Sequence, residues 1–319
     1  MRGWRTALGI MGMAAVVCSS PAKCEALMNE PDGQAASSSP APSSNGTNGL
    51  PSPVEPSPAV VIPPLPSLDD KAARAEAVKL SVSLHKEVGG VQPLTPTQKA
   101  HWIKLAQDTI AGSDFRITRA QVITVVDRNP KVQRLALILA LPDSPDWQVI
   151  GSVKVSTGNT GRKYYYITPT GVFPNTPDRL GYRAEGTKNE NGIRGIGAKG
   201  MRVWDFGWHN AVKGWLVSGE TGDIRLEMHA TDPDFLESRL GRPASEGCVR
   251  IPAKFNVFLD RHGLLDVEYE QAASYDDRFK ALLRKDRTPS PIAGEALVVV
   301  DSGGETKPVP LPALASQKS

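Results

Sequence analysis

From about residue 115 the chain falls into short apolar runs of strand length, each closed by a turn signal. No other feature restricts the fold as much. "QVITVVD" and "VQRLALILAL" flank an Arg-Asn-Pro-Lys turn, "WQVIGSVKVSTG" ends in a Ser/Thr/Gly loop, and "KYYYITPTGVF" is broken by Thr-Pro-Thr-Gly. "GWLVSGETGDIRLEMHA" holds two more runs. β-Branched and aromatic residues bounded by Gly, Pro, Asn and Ser predict strands. One segment departs from the pattern: "PAKFNVFLDRHG" sets Phe255, Phe258 and Leu259 on one helical face and stops at Gly263. The expectation for this region is mainly β with one packed helix.

Two helices are expected ahead of it. Residues 69–86 have helix-forming composition and an acidic start, and Thr95 followed by Pro96 is an N-cap with proline at the first helical position. His85 and His101 lie on these helices and read as surface or packing residues. The expected organisation is a signal segment (1–26), a Pro/Ser-rich linker (27–66), a helical N-terminal segment (67–114), a mainly β catalytic domain (115–272), and a C-terminal helix with a flexible tail (273–319). A short "ALVVV" patch in that tail is left as a docking element.

The signal reading rests on Arg2 and Arg5 ahead of the apolar run from Ala7 to Val17, with small residues after it. That run is shorter than the ~20 residues a membrane-spanning helix needs. The mature chain is therefore expected to be exported, with a periplasmic location favoured. Anchoring as a lipoprotein at Cys18 is the lesser reading, because Val17 fits poorly before a lipidated cysteine. The 37 basic and 34 acidic residues give a net charge of +3 with no dense Lys/Arg stripe, which argues against a nucleic-acid partner. The oligomeric state is left open.

Of three cysteines, only Cys248 lies outside the N-terminal segment. It sits in "RPASEGCVRIP", a glycine-flanked turn, and His229 in "EMHAT" precedes it by 19 positions. A thiolate is the nucleophilic form of cysteine, and an adjacent imidazole can take its proton and later return it to a leaving amine. Gly247 permits a sharp turn whose N–H groups could face an oxyanion. One cysteine and scattered histidines offer no structural zinc site, and no metal is expected. "GIGAKG" lacks the βαβ setting a dinucleotide fingerprint needs, and "DFG" at 205–207 lacks every other kinase element.

These motifs resemble the catalytic domain of the L,D-transpeptidases (YkuD type). His229, the fifteen residues 230–244 and then "SEGCVR" match that family's histidine, spacer and Ser/Thr-His-Gly-Cys-hydrophobic-Asn/Arg motif. The Ser156–Gly158 loop, the Thr168–Phe173 turn and "LGRP" before the cysteine motif add to the resemblance, which covers roughly residues 118–270. It implies an L,D-transpeptidase-like β-sandwich of mixed sheets with one packed helix, preceded by a small helical segment.

The implied reaction uses Cys248 as nucleophile and His229 as base, with the Ala230 carbonyl orienting the imidazole. Ser245, Glu246 and Gly247 would shape the oxyanion region, and Arg250 would either form a structural ion pair or bind a substrate carboxylate. Apart from the resemblance, Trp204 and Trp208 belong to a glycine-rich insertion read either as packing for the second sheet or as a lid whose aromatic faces bind substrate. The implied partner is a peptidoglycan tetrapeptide stem, from which D-alanine leaves a thioester. An amine then resolves the thioester, giving a cross-link, an attached cell-wall protein or an exchanged D-amino acid. No cofactor is implied. Glu246 stands where the family has histidine, and an ionised carboxylate neither donates a hydrogen bond nor favours a thiolate. That departure keeps two alternatives open: a carboxypeptidase or endopeptidase with water as acceptor, and a non-catalytic peptidoglycan-binding module.

Overall fold

The computed structural model describes residues 62–304; the expected signal segment, most of the 27–66 linker and the tail beyond 304 lie outside the described residues. Two helices come first. α1 (Asp70–Glu87) is capped by Asp69, whose side chain accepts from the Ala72 N–H at 2.8 Å, and α2 (Pro96–Ala111) carries a reciprocal capping box between Thr95 and Gln98. Each buries one stripe: Ala73, Ala77, Leu80 and Leu84 on α1, Trp102, Ala106 and Ile110 on α2.

The strands form two sheets. β1 (Gln121–Asp127), β2 (Arg134–Ala140), β3 (Gln148–Lys154), β4 (Gly171–Pro174) and β9 (Ala296–Val300) make the first, in the order β3-β2-β1-β9-β4. β5 (Tyr182–Arg183), β6 (Arg202–Val212), β7 (Thr221–Ala230) and β8 (Val249–Ile251) make the second, in that order. Both are mixed: β1 runs parallel to β9 and β7 parallel to β8, while the other pairings are antiparallel.

Alternation decides the layering. Val122, Val126, Leu135, Leu137 and Leu139 share a core with Trp204, Phe206, Leu226, Met228, Val249 and Ile251 of the second sheet, together with the α1 stripe. The opposite face of the first sheet, with Ile123, Val125, Ala136 and Ile138, is covered by Trp102, Ala106 and Ile110 of α2. Because the first sheet is buried on both faces, its strands read as continuous apolar runs. The expected β-sandwich of mixed sheets is what the structure has.

Three expectations are corrected. The "ALVVV" patch is no part of a flexible tail. It is β9, wholly buried, with Leu297 and Val299 in one core and Val298 and Val300 in the other. Five apolar residues that fill two cores hold their place despite Pro/Gly-rich flanks. A catalytic-domain boundary at 272 would therefore remove an inner strand. The helical segment does not stand apart either, since the apolar stripe of α1 is buried against the sheets and α3, and that of α2 against the first sheet. The one helix expected in the β region, α3 (Ala253–Arg261), is joined there by α4 (Val267–Ala272), while α5 (Asp277–Leu282) is the helix expected after residue 273. Among the described residues no helix is long and apolar enough to cross a membrane.

Candidate active site

The second sheet turns one face to the core and carries the candidate chemistry on the other. In the β7–β8 ladder His229 is opposite Arg250, and Met228 is opposite Val249. Paired residues share a face, so His229 and Arg250 project together while Met228 and Val249 enter the core. Cys248 enters β8 beside β7, its Sγ 3.7 Å from the Arg225 carbonyl oxygen. Thus the structure brings Cys248, His229 and Arg250 to the same strand pair.

His229 is buried, and its Nδ1 lies 2.8 Å from the Ala230 carbonyl oxygen. Only a protonated Nδ1 satisfies that contact, which leaves Nε2 as the basic nitrogen. Burial first, and the Arg250 guanidinium second, push the imidazole down to about 4, against the smaller opposing pull of the Ala230 contact. The ring is therefore neutral at physiological pH, with Nε2 unprotonated but only weakly basic.

The cysteine turn is fixed from several sides. Ser245 is buried; its hydroxyl donates to the Cys248 carbonyl at 2.5 Å and accepts from the Gly247 N–H at 3.2 Å. The Gly247 carbonyl accepts from the Thr168 hydroxyl at 2.7 Å, and that hydroxyl accepts from the Gly158 N–H at 2.8 Å. Thr168 is thus a bolt between the Ser-Thr-Gly loop and the cysteine turn. Ser156 and Arg250 exchange backbone hydrogen bonds of 2.9 and 2.8 Å, closing β8's far edge. Gly247 has φ +142°, a conformation that favours glycine, and a Cβ there would lie 2.8 Å from the terminal methyl of Ile224, which would have to give way.

Glu246 is half-buried, and burial pushes its carboxyl up while Arg250 and Arg162 oppose the shift. Arg250 donates from Nη1 to the Ala244 carbonyl at 3.2 Å, and its buried Nε has no hydrogen-bond partner.

The two tryptophans separate. Trp204 is fully buried in the core, its indole N–H donating to Asp266 at 3.1 Å beside the buried Arg202–Asp266 pair. A substrate cannot touch it there, and its assignment to substrate binding is corrected. Trp208 is 66% exposed. The cause is a bulge in β6: Asp205 pairs with Glu227 and Trp208 with Arg225, with two residues between them on β6 against one on β7. Regular alternation would send Trp208 into the core with Trp204 and Phe206, whereas the extra residue turns it to the site face.

Sequence reasoning missed a polar row on that face. Asp205 accepts from Arg225 Nε at 2.9 Å and from its Nη2, and Glu227 Oε1 accepts from the Tyr182 hydroxyl at 3.0 Å. Burial, the largest cause, pushes the Glu227 carboxyl up to about 7. The alternation in "RLEMH" placed Arg225 and Glu227 on the face of His229 and was the available signal. Also missed was an aromatic group beside the cysteine turn. Tyr166 donates its N–H to the Glu246 carbonyl and meets Trp215 edge-on with ring centroids 5.1 Å apart.

No family model matches the chain, and no curated protein matches it. A solved structure from Clostridium acetobutylicum ATCC 824, described as a fused Zn-dependent amidase/peptidase/peptidoglycan-binding domain-containing protein, is similar at 15% identity with a TM-score of 0.27. The match covers 67% of this chain and 65% of that one, just under two thirds of its length. Among the described residues no group of three or more His, Cys, Asp or Glu side chains is placed to hold a metal ion.

Proposed function

We propose that this chain is an exported, cell-wall-directed cysteine acyltransferase of the L,D-transpeptidase kind, acting on peptidoglycan tetrapeptide stems. The observation that carries the reading is the placement of Cys248 beside β7 with a buried, neutral His229 on the adjoining strand register. Cys248 Sγ attacks the carbonyl before the terminal D-alanine, and its proton passes to His229 Nε2. The tetrahedral centre collapses as Nε2 returns that proton to the departing D-alanine nitrogen, leaving a thioester on Cys248. An imidazole held near 4 is unprotonated at neutral pH and returns its proton readily to the leaving amine, while the same low value makes it the weaker base toward the thiol.

Gly247, Ser245 and Ala230 hold the turn and ring in place, the half-buried Arg250 guanidinium supplies positive charge for a substrate carboxylate, and Trp208 supplies an exposed aromatic flank. Tyr166 and Trp215 line the other side of the turn. The signal-like N-terminus agrees with a substrate met outside the cytoplasm. The test is release of D-alanine from a tetrapeptide stem by the wild-type chain and by Cys248→Ala. Release by the wild type alone supports the reading; equal release by both, or by neither, removes it.

A further inference from the structure

Glu227 is the one carboxylate on the site face that is buried and half-satisfied. It is 6% exposed, and Tyr182 serves Oε1 at 3.0 Å, while no hydrogen bond reaches Oε2 among the described residues. Its place in the fold is specific. It lies two residues before His229 on the same face of β7, and the β7–β8 register carried back one step sets it opposite Cys248. Beyond it stand the half-exposed Tyr182 on β5, Asp205 on β6, and Trp208, re-aimed to this face by the bulge. The nearby Arg225 guanidinium is held by Asp205, so this neighbouring pair carries no net charge. Arg250 lies on the other side, opposite His229.

We propose that Glu227 Oε2, with the Tyr182 hydroxyl, is the seat for the primary amine of the acyl acceptor, so that the carboxylate binds the incoming ammonium and takes its first proton. The inference rests on the acyltransferase reading above and deepens it. The face then divides between two charges: Arg250 for a carboxylate, Glu227 for an amine. The step balances as follows. An ammonium gives one proton to Glu227, and the resulting amine forms a C–N bond to the thioester carbonyl. The second nitrogen proton passes to His229 Nε2, the C–S bond breaks, and the Cys248 thiolate takes that proton back. Protonated Glu227 then releases its proton to water. Burial that makes the carboxyl hard to ionise also makes a cationic partner welcome, since an arriving ammonium offsets the desolvation.

The experiment separates the half-reactions in the full chain, with a tetrapeptide donor and glycinamide, a primary amine without a carboxylate, as acceptor. Glu227→Gln keeps size and a hydrogen bond to Tyr182 but cannot hold an ammonium or take a proton. The expected result is acylation within about twofold of wild type and a fall of about tenfold or more in the ratio of aminolysis to hydrolysis, the scale of a lost charge-assisted hydrogen bond. Tyr182→Phe, at a half-exposed position, should lower the same ratio by about threefold and serves if Glu227→Gln folds poorly. An unchanged ratio in both variants overturns the inference, as does an equal loss in acylation and aminolysis. Acylation of wild type followed by hydrolysis alone, at any amine concentration, overturns it and leaves the Cys248 reading standing. Absence of acylation removes both.

Discussion

Replacing Glu227 by glutamine should change how the stability of the protein depends on pH, and the structure fixes sign and size. The Glu227 carboxyl is raised from 4.5 to about 7 in the fold. Between those values the folded chain holds a proton that the unfolded chain has released, so stability falls as pH rises through this window. At 1.36 kcal/mol per pH unit the full window is worth about 3 kcal/mol, a ceiling for a carboxyl with one hydrogen bond retained. His229 acts the other way. Its imidazole falls from 6.5 to about 4, so the unfolded chain holds the extra proton and stability falls as pH drops through that window, again by about 3 kcal/mol. The two windows overlap, and in wild type the two contributions oppose each other between about pH 4.5 and 6.5. Glu227→Gln removes one of them. The variant should match wild type near pH 4.5, gain on it as pH rises, and lead by up to about 3 kcal/mol at pH 7.5, less the loss of any hydrogen-bond quality to Tyr182. Urea unfolding midpoints of both proteins at pH 4.5, 5.5, 6.5 and 7.5 measure the difference curve. Parallel curves with a constant offset would refute the argument, because they would show a Glu227 carboxyl that titrates alike in folded and unfolded chains.

Other outcomes follow from the same geometry. Gly247→Ala should cost about 1–3 kcal/mol in urea unfolding from the strained φ and should slow Cys248 acylation, since relaxing that φ moves the turn that carries the thiol. Leu297→Ala in β9 should cost about 2–5 kcal/mol, as expected for a fully buried leucine, whereas a residue of a flexible tail would cost nothing measurable. Trp204→Ala should destabilise by about 3–5 kcal/mol, while Trp208→Ala should stay within about 0.5 kcal/mol of wild type and raise KM for the stem peptide.

What the sequence could tell about this fold depended on how local each signal was. Caps, the proline at the head of α2 and the apolar runs of β1 and β2 are local, and they read correctly. The histidine and cysteine motifs are local signals too, and the β7–β8 register sets His229 opposite Arg250, two residues past the cysteine. β9 was hidden because five residues among prolines and glycines carry no periodicity, and only the gap between β1 and β4 shows what they do. Trp204 and Trp208 could not be separated because a one-residue bulge decides which face each takes. Glu227 went unread because a carboxylate in a strand looks like an exposed residue until the neighbouring strands bury it.

The most direct test of the account is the intact mass of the full chain after exposure to a carbapenem, whose strained β-lactam carbonyl acylates an activated thiol, for wild type, His229→Ala and Cys248→Ala. The account predicts a single adduct on wild type that maps to Cys248, forms at a rate nearly independent of pH from neutrality down to about pH 5, as an imidazole held near 4 requires, is much slower in His229→Ala and is absent in Cys248→Ala. A wild-type chain that gains no mass, or an adduct that persists in Cys248→Ala, would contradict it.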